Sequence, residues 1–116
     1  MVHKDGSWVQ ELPVAITVVD ANAAIVEMNG RSRETFANDG GGGLMGRNLA
    51  GCHPEAAREK IQTLMASARS NHYTIRKNGQ RKIIHQLPWF KDGTFAGLVE
   101  ISIPIPDEMP EFDRGG

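Results

Sequence analysis

The pattern of apolar and polar positions predicts that the first third of the chain is a β-hairpin followed by a short helix. An apolar, mostly β-branched run at residues 14–19 is followed, after the turn-forming sequence Asp-Ala-Asn, by a second apolar run at 23–29. Two such runs around a short turn are typical of paired antiparallel strands. Residues 30–37 predict a short helix. The glycine-rich segment 38–43 is expected to lack regular structure, because consecutive glycines lose much backbone entropy on ordering.

A longer helix is predicted over residues 54–69. Apolar residues recur there at helical spacing, with charged residues between them, at Ala57, Ile61, Leu64, Met65 and Ala68. Pro54 suits the first helical position, and Glu55 suits the positive end of the helix dipole. The apolar stripe predicts that this helix lies across a sheet.

The last third of the chain predicts three consecutive strands joined by tight turns. The strands are expected at residues 72–77, 81–90 and 94–105, with turns at the sequences Asn-Gly-Gln and Lys-Asp-Gly. Pro88 lies inside the middle strand and predicts a sheet edge or a bulge at that point, because proline has no N–H to donate. The predicted order is therefore two strands, one long helix and three strands.

Composition and charge narrow the class of protein. The chain has 116 residues, enough for one domain, with 40% hydrophobic and 23% charged residues. A net charge of −1 gives no basic surface for nucleic acid or anionic lipid. The single cysteine excludes an intrachain disulfide, and no apolar run approaches the length of a membrane span. We therefore expect a cytoplasmic protein that contacts neither nucleic acid nor a membrane.

Four sequence stretches, in order, carry a resemblance to a known family. They are "ITVVDANAAIVEMNGRSRETF", "LMGRNL", "HPEAAREKI" and "IIHQLPWFKDGTFAGLVEISI". The matching positions are the turn and helix-start residues of the first stretch, the His-Pro pair, and the proline, aspartate and glycines of the last: Asp20, Asn22, Asn29, His53, Pro54, Pro88, Asp92, Gly93 and Gly97. From about Leu12 to Ile103 the chain resembles the PAS domain family.

This resemblance implies an α+β fold, with a five-stranded antiparallel sheet and helices packed on one face. It divides the chain into an N-terminal segment at 1–11, a PAS-like sensory domain at 12–103 and a proline-rich tail at 104–116. Prolines in that tail prevent a continuous helix from leaving the last strand. We therefore expect the domain to signal to a separate protein.

A homodimer is also expected. Trp8, Val9 and Leu12 precede the first strand and have no evident place in so small a core. Family members commonly pair through such a segment, so residues 1–11 are interpreted as a dimerisation cap. The outer face of the sheet is the alternative contact surface.

Cys52 and His53 raise the question of catalysis. A thiol–imidazole couple needs two side chains that converge, whereas adjacent residues on an extended segment point in opposite directions. The pair is therefore interpreted as the approach to the helix that begins at Pro54, and the protein is not expected to be an enzyme. A moderately reactive thiol at the helix start stays open.

The cofactor is left unknown, with haem and non-covalent flavin both open. Haem needs only one proximal histidine, and the resemblance makes His72 and His85 the candidates. Flavin relatives that form a cysteine adduct carry a cysteine in a stretch that here has the sequence "GGGLMGRNL". The chain lacks that cysteine, so adduct chemistry is excluded by the resemblance.

A pocket for a small organic ligand is expected between the sheet and the helices. Its candidate lining residues are Phe36, Met45, Leu49, Ile61, Met65, Tyr73, His85, Leu87, Trp89 and Val99. Ligand binding would shift the population of conformations of the segment at residues 38–48, and a partner would sense the change. Two alternatives are a dimerisation module with a filled core and a haem- or flavin-binding redox or gas sensor.

The orientation of the middle strand decides which residues line this pocket. One register turns Ile83, His85, Leu87 and Trp89 inward, and the other turns Ile84, Gln86 and Phe90 inward. We favour the first register, because it buries the larger tryptophan side chain. A bulge at Pro88 would change the orientation of Trp89 relative to His85.

Overall fold

The computed structural model describes residues 7–37, 40–47 and 55–115, with side chains described for all of these except residues 7 and 55–58. The predictions made for the approach to the long helix and for one pocket residue fall outside this part of the chain. They concern Leu49, Cys52, His53 and Pro54.

Five antiparallel strands form one sheet in the order β2-β1-β5-β4-β3. The strands are β1 (Ala15–Asp20), β2 (Ile25–Met28), β3 (Asn71–Lys77), β4 (Gln80–Lys91) and β5 (Thr94–Ile105). The first and last strands in the sequence, β1 and β5, pair with each other in the centre of the sheet. The structure thus confirms the predicted five-stranded antiparallel sheet of an α+β fold.

Three α-helices accompany the sheet in the described part of the chain: α1 (Ser7–Gln10), α2 (Gly30–Thr35) and α3 (Glu55–Ser67). Helix α2 falls within the predicted short helix, and α3 matches the long helix predicted at 54–69. No described helix is long and apolar enough to cross a bilayer.

The glycine-rich segment contains a short helix, which corrects the expectation of no regular structure. Residues Gly41–Leu44 form a 3₁₀ helix. Gly40 and Gly41 have φ angles of 117° and 50°, a region that glycine enters without steric cost. The buried side chain of Leu44 joins the core, so side-chain burial offsets part of the entropy that these glycines lose.

The core lies between one face of the sheet and helix α3. Ile61 and Leu64 of α3 pack against strand and loop residues that are equally buried, namely Val19, Ile25, Met28, Leu44 and Leu98. Phe36 and Met65 pack at the margin of this cluster. The predicted apolar stripe on α3 is confirmed at Ile61 and Leu64. The sheet face that α3 covers is the inner face, and the opposite face is the outer face.

Strand β4 has the opposite orientation to the one favoured from the sequence. Ile84 and Gln86 are buried on the inner face, so His85 belongs to the outer face. The register prediction was wrong because it considered side-chain size alone. Gln86 forms hydrogen bonds to residues of both neighbouring strands, and these bonds satisfy its polar groups where it is buried.

Pro88 lies at a sheet edge next to a register shift, as the sequence predicted. Strand β3 pairs with β4 only as far as Gln86, so beyond that residue β4 has no partner on this side among the described residues. A register shift between Trp89 and Phe90 follows immediately. The missing N–H of Pro88 therefore breaks no bond between β3 and β4.

Candidate ligand-binding groove

A groove of about 220 Å³ lies on the inner face of the sheet, beside the C-terminal end of helix α2. Its floor and walls come from four strands and from α2, through Ala15, Thr17, Thr35, Phe36, Tyr73, Ile75, Lys77, Lys82, Ile84, Glu100 and Ser102. Tyr73 and Ile75 on the edge strand β3 are 41% and 38% exposed. The groove therefore opens to solvent along β3.

Three polar side chains are hydrogen-bonded in sequence across the inner face beside the groove. Asn71 Nδ2 donates to Gln86 Oε1 at 2.9 Å, and Gln86 Nε2 donates to Glu100 Oε2 at 2.8 Å. Gln86 is only 4% exposed, so these two bonds fix its amide where water has little access. The chain of bonds thereby holds the Glu100 carboxylate in place against the groove.

Within the part of the chain that the structure describes, Glu100 forms no ion pair. Its Oε2 atom accepts the bond from Gln86, which leaves the second carboxylate oxygen to accept a hydrogen bond from another group. Lys77 and Lys82 also line the groove. The groove therefore combines apolar walls with a negative acceptor and two cationic side chains.

Tyr73 lines the groove and is affected by this charge. Burial, and then the negative charge of Glu100, raise the pKa of the Tyr73 hydroxyl above its ordinary value of 10.0. The hydroxyl therefore stays protonated throughout the physiological range and is able to donate a hydrogen bond to a ligand.

We predict a pH effect that follows from this raised pKa. Because the folded protein disfavours tyrosinate, the stability that depends on neutral Tyr73 is complete below pH 10.0 and is lost as pH rises through the raised value. Glu100→Gln should lower the pKa of Tyr73, but not fully to 10.0, because burial remains. The chain has one tyrosine, so an absorbance titration of tyrosinate reports this group alone. An unchanged titration in the variant would contradict the contribution of Glu100.

A buried pair of hydroxyls joins helix α2 to strand β1 at one end of the groove. Thr17 Oγ1 and Ser32 Oγ lie 2.5 Å apart. The carbonyl of Ser32 also accepts a hydrogen bond from the Phe36 N–H at 3.1 Å. These contacts place the Phe36 ring, which follows the last turn of α2, in the groove wall.

The structure separates the predicted pocket residues into several places. Phe36 and Tyr73 line the groove. Ile61 and Met65 instead border a second, shallower depression beside the turn at residues 21–23. Met45 is 39% exposed and does not line the groove, and Leu49 is outside the described residues.

Four further predicted residues lie on the outer face of the sheet, and their assignment to the pocket is corrected. His85, Leu87 and Val99 share this face because of the register of β4 and β5. Trp89 pairs with Gly97 and donates from Nε1 to the carbonyl of Val19 at 3.0 Å. This hydrogen bond links β4 to the end of β1. The sequence had instead suggested that Trp89 forms a wall of the pocket.

Sequence reasoning missed most of the polar groove residues, above all Glu100 and Lys82. The sequence did contain a sign of these residues, because Gln86 needs hydrogen-bond partners if its side chain is buried. An inward-facing amide needs polar partners on neighbouring strands, and Asn71 and Glu100 are the residues that meet it. The register that we did not favour turns Ile84 and Gln86 inward. Because Gln86 on β4 pairs with Glu100 on β5, that register would also have placed Glu100 on the inner face.

Haem coordination by histidine does not fit this groove. A haem ligand has to project into the cavity that holds the porphyrin. None of the described residues that line the groove is a histidine. His72 and His85 contact each other instead, on the outer face.

Comparisons with known proteins identify the fold. No protein-family model matches the sequence, and no curated protein matches it. Among solved structures, VqmA of Vibrio cholerae, described as a LuxR-type receptor, superposes with a TM-score of 0.70 at 15% identity. The match covers 92% of this chain and 54% of VqmA, so the chain spans about half of that protein. A second VqmA structure, bound to DPO, has a TM-score of 0.68.

Two further structures match over most of both chains. A sensory box sensor histidine kinase from Vibrio cholerae has a TM-score of 0.62 at 18% identity, covering 87% of this chain and 89% of its own. The PAS domain of an HTR-like protein from Haloarcula marismortui has a TM-score of 0.58 at 21% identity, covering 83% and 84%. These likenesses, together with the strand order and the helices on one face, show that the chain has the fold of a PAS domain.

Proposed function

We propose that this chain is a sensor domain that binds a small organic molecule in the inner-face groove and signals to a separate protein. The observation that carries this proposal is the fixed carboxylate of Glu100 beside apolar walls. A few oriented polar groups in a mostly apolar concavity are typical of small-molecule sites.

The structural relatives support a sensory role. One VqmA structure is described as a dimer of a LuxR-type receptor, and the other is described as bound to DPO. The kinase relative is described as a sensor. By this similarity we propose that the present domain also acts in signal transduction, as a homodimer. We further propose that it is cytoplasmic and does not itself contact nucleic acid or membrane, which its net charge of −1 supports. Trp8 is 70% exposed, which supports a contact through the N-terminal segment.

The groove favours a particular ligand chemistry. Its volume of about 220 Å³ is below the range of about 300–1,000 Å³ typical of drug-sized ligands, so the occupant is compact. Phe36, Ile75 and Ile84 provide apolar contact for its body. Glu100 requires an N–H, O–H or ammonium donor, and Tyr73 offers a hydroxyl in return.

Binding, without catalysis, is the proposed activity of the groove. The Thr17 hydroxyl is paired with the hydroxyl of Ser32, which is a poor general base. The Tyr73 hydroxyl, with its raised pKa, is a poor proton acceptor at neutral pH. Glu100 is oriented by an amide, which suits a fixed hydrogen-bond acceptor.

Native mass spectrometry of freshly purified protein, with an absorption spectrum, tests this function. We expect an additional bound mass in the wild-type protein and in Glu27→Gln, a matched control on the exposed part of strand β2. Glu100→Gln keeps the shape of the side chain but removes its charge. It should weaken ligand affinity at least tenfold, about 1.4 kcal/mol, and so lower the bound fraction.

A second variant examines the space, separately from the charge. Ser102→Leu places apolar volume in the groove and should also lower the bound fraction. Circular dichroism establishes that each variant is folded. No bound mass in wild-type protein, or equal occupancy in all four proteins, would reject ligand binding in this groove and favour a module whose only role is protein interaction.

A further inference from the structure

Two histidines meet on the outer face of the sheet, on the opposite side from the groove. His72 of the edge strand β3 is the direct register partner of His85 on β4. Their Nδ1 atoms lie 2.8 Å apart, and the rings meet edge to face, with centroids 5.0 Å apart and planes at 71°. His72 is exposed, so solvent solutes reach the pair directly.

The separation of the two nitrogens matches that of two adjacent ligands on one metal ion. Nitrogens about 2.0 Å from a metal, at about 90° to each other, lie about 2.8 Å apart. Neutral imidazole is a preferred ligand of Ni²⁺ and Cu²⁺, which favour tetragonal arrangements with such angles. We propose that His72 and His85 form a two-point binding site for a divalent transition-metal ion of this class.

Metal binding would replace the contact between the two rings. In the metal-free pair one Nδ1 donates a hydrogen and the other accepts it. For both Nδ1 lone pairs to bind a metal, the donor ring loses its Nδ1 hydrogen to solvent and gains one at Nε2. That tautomer change leaves both rings neutral and releases no net proton.

The surroundings of the pair determine the remaining coordination. The nearest positions on the same face, by register, are Thr74, Ile83, Leu87 and Ile101, none of which is charged. Within the described ranges, no third histidine, cysteine or carboxylate converges with these two. Water therefore completes the coordination, and the affinity should be below that of a structural site with four protein ligands.

A metal ion bound at this site would stabilise the edge strand β3, which forms one wall of the groove. The inner-face residues of β3, Tyr73 and Ile75, alternate along the strand with His72. A metal bound by one residue on each strand ties β3 to β4 close to the start of β3. We therefore expect metal to slow amide hydrogen exchange in residues 71–77. The metal site itself does not depend on the proposed ligand function.

The test uses a background in which the other candidate ligands are removed. The chain has four histidines and one cysteine, so His3→Gln, His53→Gln and Cys52→Ser leave His72 and His85 as its only imidazoles. Titration of this protein with NiCl₂ by calorimetry should show one ion bound per chain. Adding His72→Gln or His85→Gln should weaken binding about a hundredfold, because the chelating second ligand is lost.

Arg76→Gln provides the matched control, since Arg76 is an exposed residue on the same face of β3. It should leave Ni²⁺ affinity unchanged. Near-ultraviolet circular dichroism establishes that each variant is folded, and electron paramagnetic resonance with Cu²⁺ should detect two imidazole nitrogens in the background protein. The proposal is overturned if that protein binds no Ni²⁺, or if either histidine substitution leaves the affinity unchanged.

Discussion

Asn29→Ala is expected to lower the free energy of unfolding by about 3–5 kcal/mol, since it removes one cap and leaves several buried groups without partners. Asn29 is 3% exposed, and its side chain makes four hydrogen bonds. Oδ1 accepts from the N–H groups of Ile16 and Ser32, at 2.9 and 3.1 Å. Nδ2 donates to the carbonyls of Val9 and Val14, at 2.9 and 2.8 Å.

The size of this effect follows from the number of elements that meet at one side chain. The bond to Ser32 caps helix α2, and a cap is worth about 1 kcal/mol. The other three bonds hold helix α1, the segment before β1 and strand β1 itself. Each buried group left unpaired costs about 1–3 kcal/mol, reduced where water enters the cavity that alanine leaves.

Urea unfolding followed by circular dichroism measures this change, with two comparison variants. Asn78→Ala removes the same side chain from the exposed β3–β4 turn and should cost about 1 kcal/mol, because alanine tolerates the φ angle of 52° less well there. Asn29→Asp keeps the cap acceptor but turns a carboxylate toward two carbonyls. If Asn29→Asp were as stable as the wild type, the two donated bonds would be dispensable and the prediction would be wrong.

Local turn chemistry explains why the three hairpins were predictable from the sequence. Asp20 Oδ1 accepts hydrogen bonds from the N–H groups of Asn22 and Ala24, which closes the first hairpin. At the later turns, Asn78 and Asp92 both have a φ angle of 52°, a conformation that these residue types tolerate. Each of these signals lies within a few residues of the turn that it specifies, so a single sequence contains it.

The groove was less predictable because its geometry depends on contacts between distant residues. Strand β4 carries apolar residues on both faces, so its pattern fits either orientation equally well. The observed orientation is the one that gives Gln86 its partners Asn71 and Glu100, 15 and 14 residues away. Helix α1 was missed for a related reason. Four residues show no periodicity, and its tie to Asn29 spans 20 residues.

The two binding functions proposed for this chain lie on opposite faces of the sheet. The inner face presents the carboxylate of Glu100 and the hydroxyl of Tyr73 in the groove. The outer face presents His72 and His85 to solvent. Strand β3 belongs to both faces and lies at the sheet edge, so it is the element through which either kind of binding would affect the other. Edge strands are held from one side only, which makes β3 sensitive to ligands of modest affinity.

Gly97→Ala is expected to disrupt the centre of the sheet, at a cost of at least about 3 kcal/mol. Gly97 pairs with Asp20 where β5 passes the end of β1, and its φ angle is 147°. An added Cβ would overlap the backbone oxygen of Val19, which also accepts the hydrogen bond from Trp89. Because the colliding atom belongs to the backbone, relief requires the two central strands to separate locally.

Thermal unfolding of Gly97→Ala and Gly93→Ala separates this steric cost from the cost of the backbone conformation. Gly93 also has a positive φ angle, of 80°, but a Cβ added there meets no atom within contact distance. Gly93→Ala should therefore cost only about 1–2 kcal/mol. Gly97→Ala should be far less stable, and in a Trp8→Phe background, where Trp89 is the one remaining tryptophan, its fluorescence should shift to the red as its bond to Val19 is lost. Equal stability of the two variants would show that β1 and β5 do not approach each other as closely as the structure has them.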